Sequence, residues 1–139
     1  MRFVYKCFYI LTTLQLKIFF GAFLISKSVI SKMLFNKTRN WLISSHERYC
    51  RTALSQALGL MFRRKQNLIM EFSHEKRVSL HMFFVFFPID VLLLNSQKEI
   101  VEIKRQLKPF SFWRSQQQGK YVVELAFLGE YKIGEKLGF

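Results

Sequence analysis

The stretch Leu80–Leu94, LHMFFVFFPIDVLLL, decides how this chain is read. It is apolar enough to be taken for a membrane span, but three residues inside it speak against one. His81 and Asp90 are ionisable groups that hydrocarbon penalises, and Pro88 lacks the N–H that a continuous helix needs. The rest is rich in β-branched and aromatic side chains. The segment therefore predicts buried β-strands, Val78 to Phe87 and Ile89 to Leu94, broken at Pro88.

The same signals recur on either side. Asn67 to Phe72, Glu99 to Arg105 and Tyr121 to Phe127 read as strands, separated by Ser73-His74-Glu75-Lys76, Asn95-Ser96-Gln97-Lys98 and Leu128-Gly129-Glu130 as turns. Helical periodicity is confined to one place. Leu54, Ala57, Leu58, Met61 and Phe62 recur at i, i+3, i+4, i+7 and i+8, which predicts a helix of about three turns over residues 52–62. Thr52 suits its N-cap, and Arg63-Arg64-Lys65 suit its C-terminal dipole. The fold class predicted is mainly β (α+β), a small barrel- or sandwich-like antiparallel sheet with this one short helix.

At 139 residues the chain fits one domain, and with 16 phenylalanines it is too apolar to be disordered. Its two cysteines, Cys7 and Cys50, make neither a disulfide framework nor a zinc motif. Cys50 reads as a buried, inert thiol. The net charge of +13 is uneven, because residues 1–32 hold five basic groups and no acid. The remaining 17 basic and 9 acidic groups still leave a surface that attracts nucleic acid, anionic lipid or acidic partners.

Residues 1–32 stand apart from the rest. Arg2 and Lys6 precede an apolar run from Cys7 to Ile25, the layout of a signal or anchor segment, with Lys17 at its middle. A hydrophobic N-terminal membrane anchor, a cleaved signal and an extension upstream of a natural start at Met33 all fit this layout. The domain itself is expected over residues 33–139. Its expected location is cytoplasmic, with membrane anchoring as the alternative. If residues 1–32 span a bilayer, Lys27, Lys32, Lys37 and Arg39 hold the domain on the cytoplasmic side.

Gly59-Leu60-Met61-Phe62-Arg63, Leu68-Ile69-Met70-Glu71-Phe72, His81-Met82, Pro88-Ile89-Asp90-Val91-Leu92, Tyr121-Val122-Val123-Glu124-Leu125 and Gly134-Glu135 follow one another in a fixed order. In that order they resemble domain of unknown function family 192, also called uncharacterised protein family 0127, over about Asn40 to Phe139. His81 stands where the family commonly has Trp, and Asn67 or Leu68 where it has Gly. The resemblance implies a small, mainly β, barrel-like domain of bacteria and archaea, often exported in bacteria, with no assigned activity.

The candidate ligand-binding residues are Arg63, His81, Met82, Asp90 and Glu124. Asp90 and Glu124 each place a carboxylate among apolar neighbours, whichever strand face they take. A desolvated carboxylate has a raised pKa or a paired cation, and Arg63 is the cation expected beside one of them. Met61, Met70, His81 and Met82 are of the kinds that bind copper(I), but they lack Met-x-x-Met or His-x-His spacing. Neither a metal nor a cofactor is predicted. No Gly-rich phosphate loop, His-Glu-x-x-His or Gly-x-Ser-x-Gly motif is present. The run Lys108-Pro109-Phe110-Ser111-Phe112-Trp113-Arg114, with Lys120 beyond, interleaves aromatics and cations. That mixture suits base stacking, an interfacial membrane contact, or a loop folded over an open barrel end. Three functions follow: a monomeric, non-enzymatic domain with a small ligand in the barrel mouth, an enzyme using Asp90 and Glu124, or a basic binder of nucleic acid or anionic membrane.

Overall fold

A computed structural model of the chain describes residues 31–127 and 129–139. Nine strands and one helix follow one another: β1 (Ser31–Asn36), β2 (Trp41–Cys50), α1 (Ala53–Leu58), β3 (Leu68–Lys76), β4 (Ser79–His81), β5 (Ile89–Leu94), β6 (Ile100–Leu107), β7 (Phe112–Arg114), β8 (Gly119–Leu125) and β9 (Leu137–Gly138). Seven of them build one sheet in the order β6-β5-β8-β3-β2-β1-β9, and β4 and β7 form a separate two-stranded ribbon. All pairings are antiparallel except β2 with β3, which α1 connects as a crossover. The fold is mostly β and sandwich-like, with one short helix, as expected.

The sheet is buried on both faces. Every residue of β5 is buried, so its near-continuous apolar run reads as core on either side. One face carries Cys50, Leu68, Met70, Val91, Leu93 and Val122, covered by Leu60, Val85 and the ribbon residues Leu80 and Met82. The other carries Ile69, Leu92, Leu94, Val123 and Leu125 against Leu34, Tyr131 and Leu137.

Three expectations are corrected. The sheet is not a barrel. Its edge strands β6 and β9 share no ladder; an isolated bridge, Glu99 with Lys136, and three backbone hydrogen bonds between residues 98–100 and 134–137 join them at one end. A two-residue β9 offers too few backbone groups to close the sheet. The hydrophobic N-terminal segment expected over residues 1–32 is corrected at its end. Residues 1–30 lie outside the described residues, Ser31 and Lys32 already pair within β1 and β2, and no described helix is long and apolar enough to cross a membrane.

The helix is the third correction, being one and a half turns instead of three. Thr52 caps it as expected, its hydroxyl accepting from the Ser55 N–H at 3.2 Å. Gly59 ends it at φ 41°, and the Phe62 N–H donates to the Phe84 carbonyl at 2.9 Å instead of continuing the helical ladder. Leu54 is exposed, and the buried helical residue is Ser55. Residues 73–76, read as a turn, extend β3, whereas most of the strand expected from Val78 to Phe87 is turn beyond His81.

Candidate functional site

A cavity of about 170 Å³ opens between α1, the 59–61 turn, β3, β8 and the ribbon. Its volume equals that of about five or six waters in the liquid. Aliphatic and thioether groups make up most of the lining, among them Leu60, Met61, Met70, Leu80, Met82 and Val85, together with the polar Glu124 and His81.

Glu124 is its floor. In β8 it pairs with Leu68 of β3 on one side and Val91 of β5 on the other. Directly paired residues share a sheet face, and Leu68 and Val91 both belong to the core beneath α1. The carboxyl group is 5% exposed and takes part in no hydrogen bond or ion pair with a described residue. Burial pushes its pKa up to about 7 from the ordinary 4.5. Gly59 lets the backbone come close, for a Cβ there would lie 3.3 Å from the Met70 methyl and 3.9 Å from Glu124 Oε2. A substituent at Gly59 would crowd the cavity as well as strain the positive φ.

His81 and Met82 line the same cavity. The imidazole Nδ1 is buried without a hydrogen-bond partner, and burial holds the ring below its ordinary pKa, so it is neutral at pH 7. Met82 is core.

Asp90 belongs elsewhere. It pairs with Leu125, one register step from the Val91–Glu124 pair, and so points to the opposite face of the sheet. There it accepts from Arg105 at 2.9 Å and from the Gln106 N–H at 2.8 Å. Arg105 also donates to the carbonyls of Gly129 and Tyr131, fastening the end of β6 to the loop after β8. This is a structural clamp. Arg63, expected beside one of the carboxylates, makes no ion pair with a described residue, and burial and the neighbouring Arg48 lower its pKa. The structure therefore brings together Glu124, His81 and Met82 and leaves out Asp90 and Arg63.

The sequence reading missed two further polar groups. Asn67 donates to Glu47 Oε1 and accepts from the Ala126 N–H, both at 3.0 Å, which ties β2 and β8 together at the entry to β3. Glu47 is buried, and its Oε2 has no partner. In the sequence it resembles any other glutamate, and with the exposed Ser45 two residues before it no alternation marks it. Cys50 is buried as expected, with its thiol pKa raised by that burial; Cys7 lies outside the described residues. No group of three or more His, Cys, Asp or Glu able to hold a metal occurs among the described residues.

These features define a class: a small β domain whose open, curled sheet carries a carboxylate-floored cavity beneath one short helix. Residues 37–130 match the DUF192 family, described as Uncharacterized ACR, and the chain belongs to that family. It is 36% identical over 94 residues to a UPF0127 protein of Pyrococcus furiosus, covering 66% of this chain and 80% of that one. It is also 33% identical over 96 residues to a UPF0127 protein of Thermococcus sibiricus, covering 66% of this chain. The matched region spans 62% of that second relative's length.

Two solved structures share the fold. One is a protein of Sinorhizobium meliloti 1021 described as a candidate transcription regulator, with a TM-score of 0.66, 22% identity, and coverage of 76% of this chain and 89% of that one. The other is a protein of unknown function from Novosphingobium aromaticivorans, with a TM-score of 0.67, 17% identity, and coverage of 80% and 85%.

Proposed function

We propose that this domain is a non-enzymatic binding module, and that its ligand is small, with an apolar body and a hydrogen-bond-donating or cationic head. The observation that carries this reading is Glu124, a buried carboxyl group at the floor of a cavity with no partner among the described residues. A carboxyl group shut away from bulk water and given no protein donor is costly to ionise, and such groups in native proteins call for a reason. A ligand N–H or ammonium supplies one, with Met70, Met82, Leu60 and Leu80 around its apolar body.

An enzyme reading is the alternative, because a carboxyl group that titrates near 7 is matched to general acid–base work. Turnover separates the two.

A library of small amines and amides screened by protein-observed NMR tests the proposal. Hits should shift resonances of Gly59, Met70 and Glu124, and Glu124→Gln should weaken amine binding at least tenfold. For an amine, affinity should rise with pH up to about 7 and then level off, since only the ionised carboxylate attracts the ammonium. Hits that bind the Glu124→Gln protein equally well would sink the reading.

A further inference from the structure

We propose that the segments 59–65, 77–88 and 108–115 form a docking surface for an anionic lipid bilayer. Backbone bonds gather them at one place. The Phe62 N–H donates to the Phe84 carbonyl, the Met82 N–H to that of Ser111 and the Phe110 N–H to that of Met82, at 2.9, 2.8 and 2.9 Å. The β4–β7 ladder sets His81 opposite Phe112.

The gathered surface is aromatic and faces outward. Phe62, Phe86, Phe110 and Phe112 are each exposed over more than half of their surface, and Phe83 over 40%. Scattered exposed apolar residues need no explanation, but a contiguous group marks an interaction site. The backbone supports the same view. Phe62, Phe84 and Phe110 all have φ in the left-handed region, at 54°, 58° and 58°. A bulky residue in that conformation is an outlier that persists only where its surroundings fix it, and such outliers gather at functional sites. Trp113 is the exception in this region, since it packs against the core.

Charge names the partner. The three segments contain Arg63, Arg64, Lys65, Arg77, Lys108 and Arg114 and not one acidic residue. None of these cations makes an ion pair with a described residue. Exposed phenylalanines on segments whose cations make no ion pair fit a negatively charged headgroup layer with acyl chains beneath it. A nucleic acid fits less well. Base stacking needs open ring faces, but Phe62 stacks on Phe84 with centroids 4.6 Å apart, and Phe86 meets Phe110 edge-on at 5.9 Å.

Flotation of the full chain with vesicles tests this surface. Two preparations are compared, phosphatidylcholine alone and phosphatidylcholine with a quarter phosphatidylserine. Wild type should float with the anionic vesicles, bind neutral ones at least tenfold more weakly, and release as salt rises. Phe86→Ser with Phe110→Asn, and separately Arg64→Glu with Lys65→Glu, should each cut anionic-vesicle binding at least tenfold while the melting temperature holds. Asn tolerates the left-handed φ at position 110, which keeps the first variant folded. Wild type that never floats, or folded variants that float as wild type does, would overturn the proposal. So would binding to a single-stranded oligonucleotide, lost in the phenylalanine variant, without any vesicle binding.

Discussion

Replacing Glu124 by Gln should stabilise the folded domain at pH 8 and leave it nearly unchanged at pH 4.5. Glu124 titrates at its ordinary 4.5 in the unfolded chain and at about 7 in the fold, where burial penalises its ionised form. Between those values the folded protein keeps a proton that the unfolded chain has released. Stability from this group is therefore complete below pH 4.5 and is lost as pH rises to about 7. Each pH unit of difference is worth about 1.4 kcal/mol, so the loss approaches about 3 kcal/mol. Gln keeps the shape and cannot ionise. It should raise stability at pH 8 by about 2–3 kcal/mol, a melting shift on the order of 10 °C.

Urea unfolding of both proteins at pH 4.5, 6 and 8 measures the difference directly. His81, held neutral by burial, acts with opposite sign as pH falls below 6.5, but it is common to both proteins and cancels. A Glu124→Gln protein that is less stable than wild type at pH 8 would refute the reasoning, because it would mean that the carboxylate has a stabilising cation partner.

Two further outcomes test the fold. Asp90→Ala removes the bonds to Arg105 and the Gln106 N–H, leaves an uncompensated cation, and should cost about 2–4 kcal/mol, discounted because Arg105 is half exposed. Arg63→Met should stay within about 0.5 kcal/mol of wild type, and chemical denaturation of the two variants side by side tells clamp from bystander. Gly119→Ala would bring a Cβ to 2.6 Å from Leu93 and 2.8 Å from the Leu94 carbonyl, so a loss of about 1–3 kcal/mol in the same assay is expected. A neutral result there would mean that β5 and β8 are not packed as described.

Much of the fold was legible because its signals are local. The strand Ile89–Leu94 announced itself by an unbroken β-branched and aliphatic run after a proline, and it stands at those residues. Thr52 was readable as a cap because a hydroxyl three residues ahead of a backbone N–H is a local arrangement. The helix length was not legible. Its apolar spacing continued to Phe62, but Gly59 ends the helix at φ 41°, and the Phe62 N–H goes to Phe84, which follows 22 positions later. Phe112 illustrates the same limit, since its exposure could not be told from that of Trp113 beside it until the β4–β7 ladder assigned the faces.

For the site, the sequence marked Asp90 and Glu124 as buried carboxylates but not Glu47 or Asn67, and tertiary structure decided which of them meet. Asp90 and Glu124 both lie in apolar strands, and period-2 alternation guarantees each a buried setting. Whether they share a face depends on the register between β5 and β8, which pairs Val91 with Glu124 and Asp90 with Leu125. One residue of register separates the faces. It places Asp90 with Arg105 on one side and Glu124, without a cation, in the cavity that His81 and Met82 also line on the other. Register is a relation between strands with 24 residues between them, from 95 to 118, so no short window of sequence contains it.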